Sequence, residues 1–262
     1  MFYREYPPHP LLAAHVACVW AARAPAAAHT HRVLPDNCVD ILWQDGGQQG
    51  FAVGMMSSSI LVASARPVLT LAVRFKPGMA GVFLAAPLQA LTDQRADIDL
   101  LWGRSDADRL ADALWTDAAP ERARLALIEQ ELLQRLRTAN GDSADAMRPA
   151  GALALVQRAV AALDGSGGAL RVEQLAAELG VSRQHLAVQF RQHVGLSPKL
   201  FARICRFRLA TAALKTAPAG SPDWAQLALE CGYFDQSHLI HDFQALAATT
   251  PERFHFSNRP AA

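Results

Sequence analysis

Three groups of residues in this 262-residue chain are of types that do chemistry. The first is the run His29, His31, Asp36, Cys38 and Asp40. A His-x-His pair on a strand turns both imidazoles to one face, as a metal site in a small β-barrel requires. His29, His31 and Cys38 are therefore the candidate ligands, although no established spacing completes the set. Polar residues at a strand end and turn are the competing reading. The second group is Ser57-Ser58-Ser59, which lacks the flanking glycines of a nucleophile elbow. No phosphate-binding glycine loop is present either. The expectation is a non-enzyme without a cofactor. The third group is a set of amides, cations and small apolar residues set out twice, about fifty residues apart. Side chains of these types read base edges and phosphates.

The elements that carry this third group repeat. Leu175, Ala176, Glu178 and Gly180 map onto Leu227, Ala228, Glu230 and Gly232 at an offset of 52. Beyond the glycine the offset is 53, and His185, Leu186, Phe190, Pro198 and Phe201 map onto His238, Leu239, Phe243, Pro251 and Phe254. A repeat that keeps its apolar spacing and changes length only at a turn is a structural repeat. Each copy reads as a helix, a glycine turn, an N-cap (Ser182 or Asp235) and a second helix. Leu186 and Phe190 face inward in the first copy, Leu239 and Phe243 in the second. Arg183, Gln184, Ala187 and Val188 face outward in the first; Gln236, Ser237, Ile240 and His241 do so in the second. Each copy is a helix-turn-helix, whose second helix lies in the major groove of DNA. A helix over 197–217 joins the copies. At ~1.5 Å per residue it is ~30 Å long, close to the ~34 Å turn of DNA that separates successive grooves. Phe201, Ile204, Leu209, Ala213 and Leu214 form its expected apolar stripe. Arg171, Arg191, Lys199, Arg203 and Arg206 are the expected phosphate contacts.

The first half reads differently. Short runs at 16–22, 39–44, 60–63 and 69–75 are rich in Val, Ile, Leu and Trp and are punctuated by Pro, Gly, Asn and Asp, which predicts strands. Helices are expected at 79–86, 106–115 and 120–137. In the last, Leu125, Ile128, Leu132 and Leu136 form a stripe that fits either the sheet or a partner subunit. Residues 138–150 (TANGDSADAMRPA) have no periodicity and read as a linker. The fold class expected is α+β. A β-rich, barrel-like domain with flanking helices occupies 1–137 and senses or dimerises. An all-α domain with two helix-turn-helix modules joined by a long helix occupies 151–262.

Bulk properties agree. Net charge is +1; residues 1–150 hold 14 Lys+Arg against 16 Asp+Glu, and 151–262 hold 11 against 8. That mild excess permits nucleic-acid binding by the second half. The four cysteines, Cys18, Cys38, Cys205 and Cys231, have no CxxC spacing and read as free thiols in a reducing compartment; a thiol sensor built on Cys18 and Cys38 is an alternative. The N-terminus MFYREYPPHP is not a signal peptide, and no apolar run reaches the ~20 residues that span a bilayer. A cytoplasmic protein without membrane contact is expected.

Residues 152–258 resemble the double helix-turn-helix domain of AraC/XylS-type bacterial transcription regulators. The residues that carry the resemblance are LAAELGVS-x2-HL-x3-F with G-x-SP in the first module, and A-x4-GY-x-DQSHL-x3-F with TP-x2-F in the second. Segments YPPHPLL, LPDNCVDI and VRFKPG-x-AGVFL are similar to an uncharacterised β-rich domain found before such modules. The resemblance implies a regulator of double-stranded DNA, an activator, that recruits RNA polymerase; a small-molecule effector and a homodimer are the expected partners of the first half, for which the resemblance brings no assured ligand. It departs from the family at Ala187 and Val188, where many members carry long polar or basic residues. Here that face can touch thymine methyls but cannot donate hydrogen bonds. The remaining alternative is a metal sensor or small β-barrel enzyme fused to the DNA-binding module.

Overall fold

The computed structural model describes residues 2–24, 29–46, 49–64, 66–84, 86–116, 119–140, 151–217, 220 and 222–257. The first half builds an antiparallel sheet of six strands in the order β1-β2-β7-β4-β5-β8. These are β1 (Phe2–Tyr6), β2 (Val16–Ala24), β4 (Val39–Gln44), β5 (Phe51–Val53), β7 (Val68–Phe75) and β8 (Arg95–Asp97). Two further strands, β3 (His29–Val33) and β6 (Ile60–Ser64), pair only with each other. The barrel-like domain read from the sequence is thus two antiparallel sheets.

Period-two alternation gives the large sheet two unlike faces. Val19, Ala21, Ile41, Trp43, Leu71, Val73 and Phe75 are buried in the main core. On the other face Cys18, Trp20, Ala22 and Ala72 form a small cluster with Leu42. Beside that cluster the Arg74 guanidinium donates Nε and Nη2 to the two oxygens of Asp40, both at 3.1 Å. Asp36 stands 3.3 Å from the same guanidinium. A bidentate fork of this kind fixes two strands in register as well as neutralising a charge.

Helices α1 (Ile98–Trp102), α2 (Arg104–Trp115) and α3 (Glu121–Asn140) close the main face. The stripe of α3 packs inside the molecule: Leu125, Ile128 and Leu132 are fully buried and Leu136 lies against the core. Between the two packings left open by periodicity, these residues take the intramolecular one. Glu131 of α3 binds Arg109 at 2.7 Å and Arg135 at 2.9 Å, which ties α2 to α3. The helix expected at 79–86 is absent. Ala80–Val82 is a single 3-10 turn and Leu88–Leu91 another, because Gly81 and Pro87 interrupt helical propensity within eight residues. The linker expected at 138–150 lies mostly outside the described residues; α3 runs through the first three of its positions.

The second half is helical: α4 (Gly151–Gly165), α5 (Val172–Glu178), α6 (Arg183–Val194), α7 (Pro198–Thr216), α8 (Trp224–Glu230), α9 (Gln236–Ala247) and α10 (Pro251–Ser257). Phe190 packs edge-on to Phe201 with centroids 5.4 Å apart, and Phe207 to Phe243 at 4.9 Å. Each recognition helix is thereby anchored to α7 by an aromatic pair. On α7 the stripe differs from expectation at one position. Leu209 is 46 % exposed, while Phe207 and Ala210 are buried. Helix α7 has neighbours on more than one side, so its buried positions exceed a single stripe.

Candidate nucleic-acid interface

The two modules are built by the same local devices. Helix α5 ends in a Schellman turn: Gly180 has φ +71°, and Val181 N–H donates to Ala176 O at 3.0 Å. Helix α8 ends identically, with Gly232 at φ +78° and Tyr233 N–H donating to Ala228 O at 2.9 Å. A side chain other than glycine would be strained at either position. Ser182 Oγ accepts from His185 N–H at 3.1 Å and starts α6. Asp235 Oδ1 accepts from His238 N–H at 2.7 Å and starts α9. Leu186 and Phe190 of α6, and Leu239 and Phe243 of α9, are fully buried.

With those residues inside, the opposite faces must be outside. Arg183, Gln184 and Val188 are exposed and Ala187 is half-buried; Val188 leaves 56 % of its surface in solvent. On α9, Gln236, Ser237 and His241 are exposed and Ile240 is half-buried. Helix α7 has 19 residues, which gives ~28 Å of spacer at ~1.5 Å per residue.

The exposed face of α6 forms one wall of a groove of about 960 Å³. Arg171 at the start of α5, Arg191 on α6 and Lys199 at the start of α7 line it, so three of the five expected phosphate contacts sit around the second helix of the first module as exposed cations. The remaining two are engaged within the protein. Arg203 donates Nε and Nη2 to Asp242 Oδ1 at 2.9 and 2.7 Å, and Asp242 is completely buried. Arg206 also borders the groove, but its Nη1 donates to Gly168 O at 2.6 Å and its guanidinium lies 5.7 Å from the Tyr233 ring. Spacing on a helix could not foresee this, because Asp242 and Gly168 are 39 and 38 residues away. Arg183 pairs with exposed Glu173 at 2.8 Å. The Glu173 carboxyl is held below its usual range, first by a backbone N–H and then by Arg183.

The first half touches the two modules from behind, through the 88–91 turn, which packs on α6, and through three polar side chains. Thr92 Oγ1 donates to the carbonyl of Gly195, the C-cap of α6, at 2.7 Å. Arg32 Nη1 donates to the carbonyl of Ala247, the last residue of α9. Asn37 Nδ2 donates to Phe201 O at 3.1 Å and approaches Cys205 Sγ at 3.3 Å, both on α7. Asn37 is buried at φ +65° in the turn that carries Asp36, the neighbour of Arg74. Both second helices are thus held at their C-terminal ends, and their N-terminal residues Arg183, Gln184, Gln236 and Ser237 are exposed.

The other candidate chemistry does not converge among the described residues. His31 lies on the two-stranded sheet and Cys38 in the turn before β4; the side chain of His29 is outside the described residues. Among the described residues no group of three or more His, Cys, Asp or Glu could hold a metal. Ser57 donates its N–H and hydroxyl to Asp93, each at 2.7 Å, as a turn brace. Cys18 faces Arg74 across one strand pair, and Arg74 faces Asp40 across the next. At ~4.8 Å per strand, Cys18 and the β4 backbone are ~10 Å apart, beyond the ~7 Å limit for a disulfide. All four cysteines are free. Burial, with lesser help from Glu5, pushes the Cys18 thiol up to about 12; burial likewise pushes Cys205 to about 12 and raises Cys38. Such thiols hold little thiolate at neutral pH and react poorly.

Comparison with known proteins adds names to this geometry. Residues 175–255 match a family described as a helix-turn-helix domain, and residues 4–97 match a domain of unknown function (DUF6597). No curated protein matches the chain. Among solved structures, it is similar to a transcriptional regulator from Chromobacterium violaceum described among AraC-type DNA-binding domain-containing proteins (23 % identity, 43 % of this chain and 100 % of that one, TM-score 0.36). It is also similar to the C-terminal domain of AraT, a response regulator from Geobacillus stearothermophilus (20 % identity, 41 % and 88 %, TM-score 0.37). ToxT from Vibrio cholerae O395 covers more of the length (12 % identity, 92 % and 97 %, TM-score 0.45).

Proposed function

We propose that this chain, which carries a C-terminal helix-turn-helix domain of the AraC type, is a sequence-specific regulator that reads a bipartite site on double-stranded DNA. The observation that carries this reading is the pair of capped recognition helices on a 19-residue spacer, each with its N-terminal end exposed. Arg183, Gln184, Gln236 and His241 are its hydrogen-bonding base readers, and Ala187, Val188 and Ile240 its apolar ones. Ser237 takes the remaining position on the second helix. Arg171, Arg191 and Lys199 fix the register on phosphates. The engaged state of Arg203 and Arg206 favours a bracing role for both.

Control runs through the first half in this reading. Contacts from Arg32, Asn37 and Thr92 reach both recognition helices and the spacer, so a small effector or a second copy acting on the sheets would alter how the two helices are held. RNA polymerase recruitment rests on family resemblance. No helix among the described residues is long and apolar enough to cross a membrane, and a DNA target places the working protein in the cytoplasm. The role is non-enzymatic and needs no cofactor. Footprinting of bound sites across the source genome tests the reading. Two protected blocks about one helical turn apart are expected; protection without sequence preference would remove it.

A further inference from the structure

The repeat contains one residue too many in its second copy, and the structure identifies which one. Both turns close with the same backbone bonds, from Val181 in the first module and Tyr233 in the second. Both recognition helices then start with the same cap, Ser182 or Asp235. Val181 and Ser182 are adjacent, whereas Phe234 stands between Tyr233 and Asp235. The extra residue is therefore Phe234. Tyr233 takes the buried position at 3 % exposure, while Phe234 is 85 % exposed, the highest value among the large hydrophobic residues of the described chain.

An isolated exposed apolar residue needs no special explanation. This one has a particular place. It immediately precedes the cap of α9, beside Gln236 and Ser237, at the end of a recognition helix that enters the groove. Its backbone is constrained on both sides, by the Tyr233 bond before it and by the Asp235 cap after it, and its own N–H is directed at His238 Nδ1 at 3.5 Å. The major groove displays one apolar group on base edges, the thymine methyl, and phenylalanine is among the side chains that contact it.

We propose that Phe234 is a DNA contact that imposes a thymine preference at the outer edge of the second half-site. This rests on the regulator reading above. The first module has no counterpart, so the preference belongs to one half-site only.

The test begins with selection from a random-sequence duplex pool by the full-length protein. Affinities of the enriched site are then measured for wild type, Phe234→Ala and Phe234→Leu. A second duplex carries deoxyuridine for thymine at the outer position, which removes only the methyl group. Phe234→Ala should weaken binding about fivefold, on the scale of one methyl-sized group returned to water, and Phe234→Leu should retain most of the affinity. Deoxyuridine should weaken wild type by a similar factor and leave Phe234→Ala unaffected, the coupling signature of a direct contact. Equal deoxyuridine penalties in both proteins, or unchanged affinity of Phe234→Ala, would overturn the proposal and leave Phe234 for a protein partner. Enrichment of no motif by wild type would defeat the regulator reading itself, and this proposal with it. Circular dichroism confirms folding, which an exposed position should not disturb.

Discussion

The two helix-turn-helix modules share a scaffold and differ in how that scaffold is held. In the first, position 189 is Gln; its counterpart in the second is Asp242, buried and gripped by Arg203 of the spacer helix. The first recognition helix has a groove beside it lined by Arg171, Arg191 and Lys199. The second has an ion pair behind it and an extra phenylalanine in front. The first is thus set among exposed surface cations, and the second is fixed by an ion pair whose carboxylate is buried. A buried charge pair adds little net stability over an apolar pair, because desolvation offsets the Coulomb gain. Its consequence is geometric: Nε and Nη2 on one carboxylate oxygen set the angle of α9 against α7. The register between half-sites would then depend on Arg203 without Arg203 touching DNA.

The largest expected effect comes from breaking that pair. Arg203→Ala leaves Asp242 buried and unpaired, at a cost of about 3–5 kcal/mol, measured by urea unfolding. Replacing both residues with apolar ones of similar volume should restore most of the loss while altering tolerance for half-site spacing. If the double variant keeps wild-type spacing preference, the pair has no geometric role.

Next come the equivalent leucines. Leu186→Ala and Leu239→Ala each remove a fully buried side chain and should each cost about 2–5 kcal/mol. Similar values would show that the repeat extends to energetics. A much smaller cost at Leu186 would mean that the contacts from Thr92 and the 88–91 turn carry the first module.

Binding separates the modules further. Gln236→Ala should weaken the cognate site by about 1–3 kcal/mol if its contact is bidentate, with little change on random DNA, as read by gel shift. Arg191→Ala should weaken all sequences and lower the salt slope by about one. Arg206→Ala should leave the slope unchanged, since its guanidinium already binds Gly168 O; a lowered slope would return Arg206 to the phosphate set. The smallest effects lie at the caps. Ser182→Ala and Asp235→Ala should each cost about 1 kcal/mol, detectable as a shift in denaturation midpoint.

Much of this molecule was readable because its devices are local. Gly180, Ser182, Gly232 and Asp235 act within one turn of themselves, so residue type and spacing predict both the bend and the start of each recognition helix. The outward faces follow, since Leu186, Phe190, Leu239 and Phe243 leave the other positions no choice. The strands were legible where they alternate over several residues, as β7 does. β1, β5 and β8 have no comparable run and become strands only through their neighbours. The helix expected at 79–86 failed for a local reason that the apolar run concealed: Gly81 and Pro87 interrupt it, and only single 3-10 turns form at Ala80–Val82 and Leu88–Leu91.

The sequence by itself determined that there are two modules, where they turn, which faces they bury and that the second is longer by one residue. Tertiary structure decided how the modules are held and which side chains remain available. Arg203 and Arg206 look identical to Arg191 and Lys199 in a helical pattern. They differ because a carboxylate and a carbonyl nearly forty residues distant meet them in space. The extra residue of the second turn was visible as a change of offset, but its identity as an exposed phenylalanine required the backbone bonds that close each turn. Periodicity reports what a segment can do alone; pairing of charges and amides across the fold depends on which distant groups the packed core brings within ~3 Å.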